Sequence, residues 1–247
     1  MWTVFCTPED HAAVWAWDGL RRRGMQPAEL VTTEALAFAH AWEHRVGLDG
    51  AHFKIALQDH RILCSSRIRG VLNRLSAPSL ALVAHAAPAE REYAASELQA
   101  FYLSWLNSMS GVVINRPSPL GLAGGWRHTS EWAIRASRAG LRAPAYRQTA
   151  QDPSDRGYSP LTPQGAASTS VIVLRDKVFG ALMPESIQSA CIRMARAEGA
   201  EMLGIDFFKE ADGQWTFAHA NPMPFLPIGG EPLLDYLAEL FENGGSK

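Results

Sequence analysis

Two stretches decide how this chain is read: L-G-I-D-F-F at 203–208 and W-T-F-A-H-A-N-P-M-P at 215–224, with K-E-A-D-G-Q between them at 209–214. Both runs are apolar and aromatic, and the D-G pair at 212–213 is a hairpin turn signal. Side chains alternate along a strand, which puts Phe217, His219 and Asn221 on one face and lets the hairpin register bring Asp206 opposite them. A carboxylate, an imidazole and an amide oxygen on adjacent strands can hold a divalent cation, although a set with one charge suits Mg²⁺ weakly. The same residues also have plain structural uses: Asp206 capping a turn, Asn221 ordering the Asn-Pro loop, His219 as a satisfied half-buried side chain. Spacing alone leaves both readings open.

Working outward, residues 170–174 and 177–182 read as strands joined by Arg175-Asp176, and 185–198 as a helix closed by Gly199. The stretch 147–169 is the one low-complexity segment, and its prolines, glycines and small polar residues make it a linker. Helices are expected over 128–139 and 89–109, the second with Tyr93, Leu98, Phe101 and Trp105 mostly on one face. A buried strand starting at 111 runs into a Gly- and Pro-rich loop over 118–125. At the N-terminal end a strand over 2–6, a helix over 11–23, a strand over 29–32 and a helix over 33–44 alternate, which implies an open parallel sheet. A hairpin over 53–63 and a short apolar run over 71–75 follow, and an amphipathic helix ends the chain near Phe241. The fold class is α/β.

Composition narrows the functions. With 47% hydrophobic and 19% charged residues over 247 positions, apolar burial can offset ordering entropy, so this is a folded protein of one large or two modest domains. A net charge of -2 supplies no positive field for phosphate backbones or anionic lipid, so neither nucleic acid nor a membrane is an expected partner. No apolar run approaches the ~20 residues of a membrane helix. Cys6, Cys64 and Cys191 are far apart with no CxxC spacing, which argues against a disulfide framework or a thiolate zinc site and suits the cytoplasm. Only four of the 23 basic residues are lysines: Lys54, Lys177, Lys209 and Lys247.

The G-I-D-F-F string, the D-G turn and the strand ending N-P-M-P resemble the last metal-binding hairpin of the ATP-grasp enzymes, where a G-x-D strand pairs with one ending E-x-N-P. Residues 168–182 are similar to the preceding hairpin of that fold, and 187–199 to the helix between. V-L-N-R at 71–74, the helix with Glu97, V-I-N-R-P at 113–117 and A-G-L-R-A-P at 139–144 resemble the N-terminal region of the branch containing graspetide-forming ligases and relatives of the ribosomal-protein glutamate ligase. The resemblance covers almost the whole chain in order. It implies an ATP-grasp-like α/β fold, with an N-terminal parallel-sheet pre-ATP-grasp domain over 1–110 and an ATP-grasp-like domain over 111–247. The central lobe is reduced, because only the 147–169 linker stands where the family places a lid.

The resemblance also implies ATP and Mg²⁺ as cofactors, with the γ-phosphate passed to a substrate carboxylate and an amine or hydroxyl attacking the acylphosphate. Asp206, His219 and Asn221 become the metal ligands. Lys177, Arg127 and Arg147 become the nucleotide contacts, with Arg142 and Arg156 as further guanidinium groups. Departures from the pattern bear on that chemistry. His219 stands where a carboxylate is expected, Ser170 where an arginine would hold the acylphosphate, and Trp126-Arg127 where a lysine is expected. No lysine lies between Lys54 and Lys177. Each change removes charge that a transferring phosphoryl group needs. Two functions follow: a reduced or non-catalytic relative that binds a partner protein, peptide or small ligand, or a working ATP-dependent carboxylate-amine ligase. A homo-oligomer is compatible with either.

Other features carry less. Arg21-Arg22-Arg23 reads as a solvated helix end that complements the helix dipole. The 121–125 loop lacks the lysine and hydroxyl of a phosphate loop. His52, His60, His85 and His128 have no metal-ligand spacing, and no G-x-S-x-G elbow occurs. Cys6 reads as a core thiol. Trp15, Trp17, Trp126 and Trp132 belong either to a partner surface or to the core.

Overall fold

The computed structural model describes residues 1–81, 83–144, 168–210 and 213–244. Arg147, Arg156, Asp212 and all of the expected linker except Ser168 and Thr169 lie outside the described residues. The chain forms two compact units, Met1–Gly125 together with Glu231–Lys247, and Trp126–Gly230.

The first unit contains β1 (Trp2–Cys6), α1 (His11–Arg22), β2 (Ala28–Thr32), α2 (Thr33–Ala37), β3 (Ala41–Gly47), β4 (Gly50–Ala56), β5 (Ile62–Cys64), β6 (Gly70–Asn73), α3 (Arg91–Asn107) and β7 (Val112–Ile114). The expected parallel sheet is present in the order β2-β1-β6-β7. β1, β6 and β7 are mostly apolar and buried on both faces, with Thr3 and Asn73 as their buried polar residues. Asp10 caps α1 by accepting from Ala13 N at 3.0 Å, and it also pairs with Arg74, just past β6, at 2.7 Å. That links the starts of α1 and the post-β6 loop at the carboxyl edge of the sheet.

The helix expected over 33–44 is wrong in its second half. α2 ends at Ala37, and β3 begins at Ala41 as the edge of a three-stranded antiparallel sheet, β3-β4-β5. The alanine-rich sequence favours helix locally. Packing overrides it: Trp42 meets Trp105 and Phe101 of α3 with ring centroids at 4.7 and 5.1 Å. The solvated arginine end is also only partly right. Arg23 is half-buried and donates to Glu231 and Asp235 at 2.5 and 2.8 Å, holding α6 (Gly230–Gly244) against α1.

The second unit contains α4 (Thr129–Arg138), β8 (Ser168–Leu174), β9 (Lys177–Gly180), α5 (Glu185–Ala197), β10 (Met202–Lys209) and β11 (Trp215–Asn221). Its antiparallel sheet runs β11-β10-β8-β9. Arg175-Asp176 forms the β8–β9 turn, with Arg175 at φ 54°. α4 and α5 cover one face through Trp132, Ala136, Cys191 and Met194, packed on Val171, Val173, Leu203, Ile205, Phe207 and Phe217. Trp132 is therefore core rather than a partner surface. Among the described residues no helix is long and apolar enough to cross a membrane.

Candidate functional site

The sheet face opposite α4 and α5 carries the residues that the sequence singled out. Register places Asp206 directly between Ser170 of β8 and His219 of β11, and Gly204 between Ile172 and Asn221. Cross-strand partners share a face, so Ser170, Asp206 and His219 form one polar row and Asn221 stands in the next row beside it. All three predicted ligands are half-buried and adjacent.

Phe217 does not join them. Asp206 pairs with His219 but Phe207 pairs with Phe217, which leaves Ala218 as an extra residue. This bulge reverses the alternation and turns Phe217 into the helical core against Phe207, ring centroids 6.5 Å apart.

Hydrogen bonds already occupy the row. Ser170 Oγ donates to Asp206 Oδ1 at 2.6 Å, and Asn221 Oδ1 accepts from Met223 N at 2.7 Å, ordering the Asn-Pro turn. Residues 222–229 fold back over this face. A Cβ on Gly204 would stand 2.7 Å from Pro224 Cβ, so glycine in the G-x-D motif admits the proline ring.

Lys177 pairs with Leu174, which puts it on the same face, about 13 Å along β8 from the Ser170 row. Arg127 is on the other side of the sheet, where α4 and α5 lie. Its guanidinium donates to Glu198 and, at 3.1 Å, to Glu131, and Arg135 also pairs with Glu198. Glu198, whose side chain is 4% exposed, caps the C-terminal end of α5, where a negative charge is disfavoured by the helix dipole. The two guanidinia offset that, so Arg127 is engaged in a clamp between α4 and α5. Arg142 donates to Glu210 and Gln214 at the sheet edge.

Sequence reasoning missed both the Ser170–Asp206 bond and Glu198. The first depends on register between strands 36 residues apart. The second did carry a signal, since an acid at a helix C-terminus needs a cationic partner.

The donor set can be tested against paired Mg²⁺, which prefers several anionic oxygens. Here one carboxylate is available and one of its oxygens is bound by Ser170, the amide oxygen is held by Met223 N, and the third group is an imidazole. Among the described residues no group of three or more His, Cys, Asp or Glu side chains could hold a metal ion. The residues present do not fit a paired-magnesium centre.

No known protein family and no curated protein matches the chain in sequence. Solved structures do match along the whole length. The macrocyclase MdnC of Microcystis aeruginosa MRC, bound with precursor peptide MdnA, superposes with TM-score 0.74 at 13% identity, covering 98% of this chain and 100% of that one. A Chryseobacterium gregarium RiPP-associated ATP-grasp ligase in complex with ADP and a leader and core peptide gives 0.71 at 10% identity, covering 98% and 96%. The ATP-grasp ligase PsnB, complexed with minimal precursor, Mg and ADP, gives 0.69 at 19% identity, covering 98% of each. The chain has the fold of the ATP-grasp ligases.

Proposed function

We propose that this chain is an ATP-grasp-fold protein whose ligase chemistry is reduced or lost and which acts by binding a peptide. The observation that carries the proposal is the Ser170–Asp206–His219 row, in which the carboxylate is satisfied by a hydroxyl within the sheet and its neighbour is an imidazole. Peptide binding draws support from the similar folds, since MdnC is bound with precursor peptide MdnA, the Chryseobacterium ligase is in complex with a leader and core peptide, and PsnB is complexed with precursor peptide PsnA2. Holding a peptide needs shape and hydrogen bonds but no phosphoryl transfer, so it survives loss of metal ligands. On this reading Asp206, His219 and Asn221 form the polar floor of the binding face, Lys177 marks its cationic end, and Arg127 serves the α4–α5 clamp.

A second reading, an active ATP-dependent carboxylate-amine ligase, is favoured by full-length likeness to PsnB carrying ADP and Mg. Thermal unfolding with Mg·ATP separates the two. A ligand at 100 times its Kd that binds only the native state adds about 2.7 kcal/mol, or about 5–10 °C for a chain of this size. The expected result is no shift with Mg·ATP. A shift of that size that disappears in Asp206→Ala establishes the ligase reading instead.

A further inference from the structure

A cavity of about 530 Å³ opens at the amino ends of β1 and β2, at the edge of the parallel sheet away from Asn73 and Arg74. Pro27 and Ile62 give it apolar wall, and its charged side chains are Glu29, Arg61, Arg67 and Arg69. The geometry points to an anion-binding site there, which takes a phosphate or carboxylate group borne by a small molecule with an apolar body. This site is separate from the Asp206 face and does not depend on the function proposed for it.

The three arginines differ in a way that defines the site. Arg61 is fixed: it donates to Glu29 at 2.8 Å, to the Leu30 carbonyl at 2.9 Å and to Asp59 at 2.7 Å. Arg67 and Arg69 are exposed, and among the described residues neither side chain has a hydrogen-bond or ion-pair partner. Arg23, Arg74, Arg127 and Arg135, by contrast, are each paired with a carboxylate.

The loop that presents the free pair is held firmly. Arg67 N and Ile68 N both donate to the Cys64 carbonyl, at 3.1 and 3.3 Å, and Arg69 N donates to the Met1 carbonyl at 2.9 Å. Ile68, between the two arginines, is buried in the core of the unit. Arg67 and Arg69 are thus offered side by side from a backbone that needs no ordering, which lowers the entropic cost of capture. Planar guanidinium forks match the oxygens of phosphate and carboxylate. Three guanidinia against the carboxylates of Glu29 and Asp59 leave a local positive excess in a chain of net charge -2, and an arriving anion relieves it. The volume falls within the range of about 300–1,000 Å³ that small-molecule sites occupy.

Isothermal titration of the full chain at low salt, with inorganic phosphate and citrate as separate probes, tests the site. We expect saturable one-to-one binding of at least one probe, weakened about tenfold or more in the Arg67→Ser/Arg69→Ser double variant and unchanged in Arg138→Ser. The double variant keeps its melting temperature without probe, because both side chains lack partners to lose. Preference for phosphate assigns a phosphoryl ligand, and preference for citrate assigns a carboxylate one. No saturable binding of either probe, or equal binding by the double variant, overturns the site.

Discussion

Gly204→Ala asks directly whether residues 222–229 lie over the Asp206 face. The new Cβ would stand 2.7 Å from Pro224 Cβ and 3.4 Å from the Asn221 carbonyl oxygen. To regain the ordinary separation between carbons, the proline must retreat by roughly 1 Å. It has no rotamer with which to do so, and its loop is fixed by the bond from Met223 N to Asn221 Oδ1. Overpacking of this kind costs about 1–3 kcal/mol, offset by about 0.4–1 kcal/mol from a stiffer unfolded chain. The net loss is up to about 2.6 kcal/mol, a drop in Tm of up to about 10 °C for this length. Thermal and urea unfolding of wild type, Gly204→Ala, Pro224→Gly and the double variant measure it. Once the proline is gone the alanine becomes neutral or stabilising, giving a coupling of about 1 kcal/mol or more. An identical effect of the alanine in both backgrounds refutes the fold-back.

Glu198→Gln removes the charge shared by Arg127 and Arg135. Breaking a buried pair costs about 3–5 kcal/mol, but both guanidinia reach water here, so the loss falls to about 1–3 kcal/mol, and an unchanged melting temperature would remove the clamp from the account. The buried thiols make a pH prediction. Burial pushes Cys6 and Cys191 up to about 12 from 9.0. Below pH 9 both the folded and unfolded chains hold the protons. Above it the unfolded chain alone releases them, so stability falls as pH rises from about 9 to about 12, by up to about 1.4 kcal/mol per pH unit and thiol. Urea midpoints should fall more steeply there in wild type than in Cys6→Ala/Cys191→Ala, and parallel curves would contradict the assignment.

Most of the element order was legible in the sequence, for a physical reason. The helices over 129–138 and 185–197 and the strand around 203–208 have apolar patterns whose period agrees with their packing. The errors fall where local preference and distant contacts disagree. Ala41–Gly47 is a strand because Trp42 finds the aromatic side of α3, a contact about 60 residues away that no window around Trp42 contains. Phe217 lies on the face opposite its expected one because a bulge is a property of two paired strands, and Ala218 carries no side-chain mark of it. The adjacency of Asp206, His219 and Asn221 was readable, since it needs only a hairpin. The bond from Ser170 was not, because it needs the third strand.

That third strand also bears on how the face tolerates its departures from the ATP-grasp pattern. The resemblance implies an arginine at position 170 and a carboxylate at 219, which with Asp206 would carry one net negative charge across the row. In this chain Ser170 and His219 stand at those positions, and the serine hydroxyl supplies the donor that Asp206 needs. His219→Glu places a second carboxylate opposite Asp206. At such separation the repulsion costs about 1–4 kcal/mol, depending on local screening. The variant should melt lower than wild type in a chelating buffer, and Mg²⁺ should raise its Tm while leaving wild type unmoved, because a second anionic oxygen supplies what the cation lacked. If Mg²⁺ stabilises wild type as much as His219→Glu, the imidazole is not what keeps magnesium from this face.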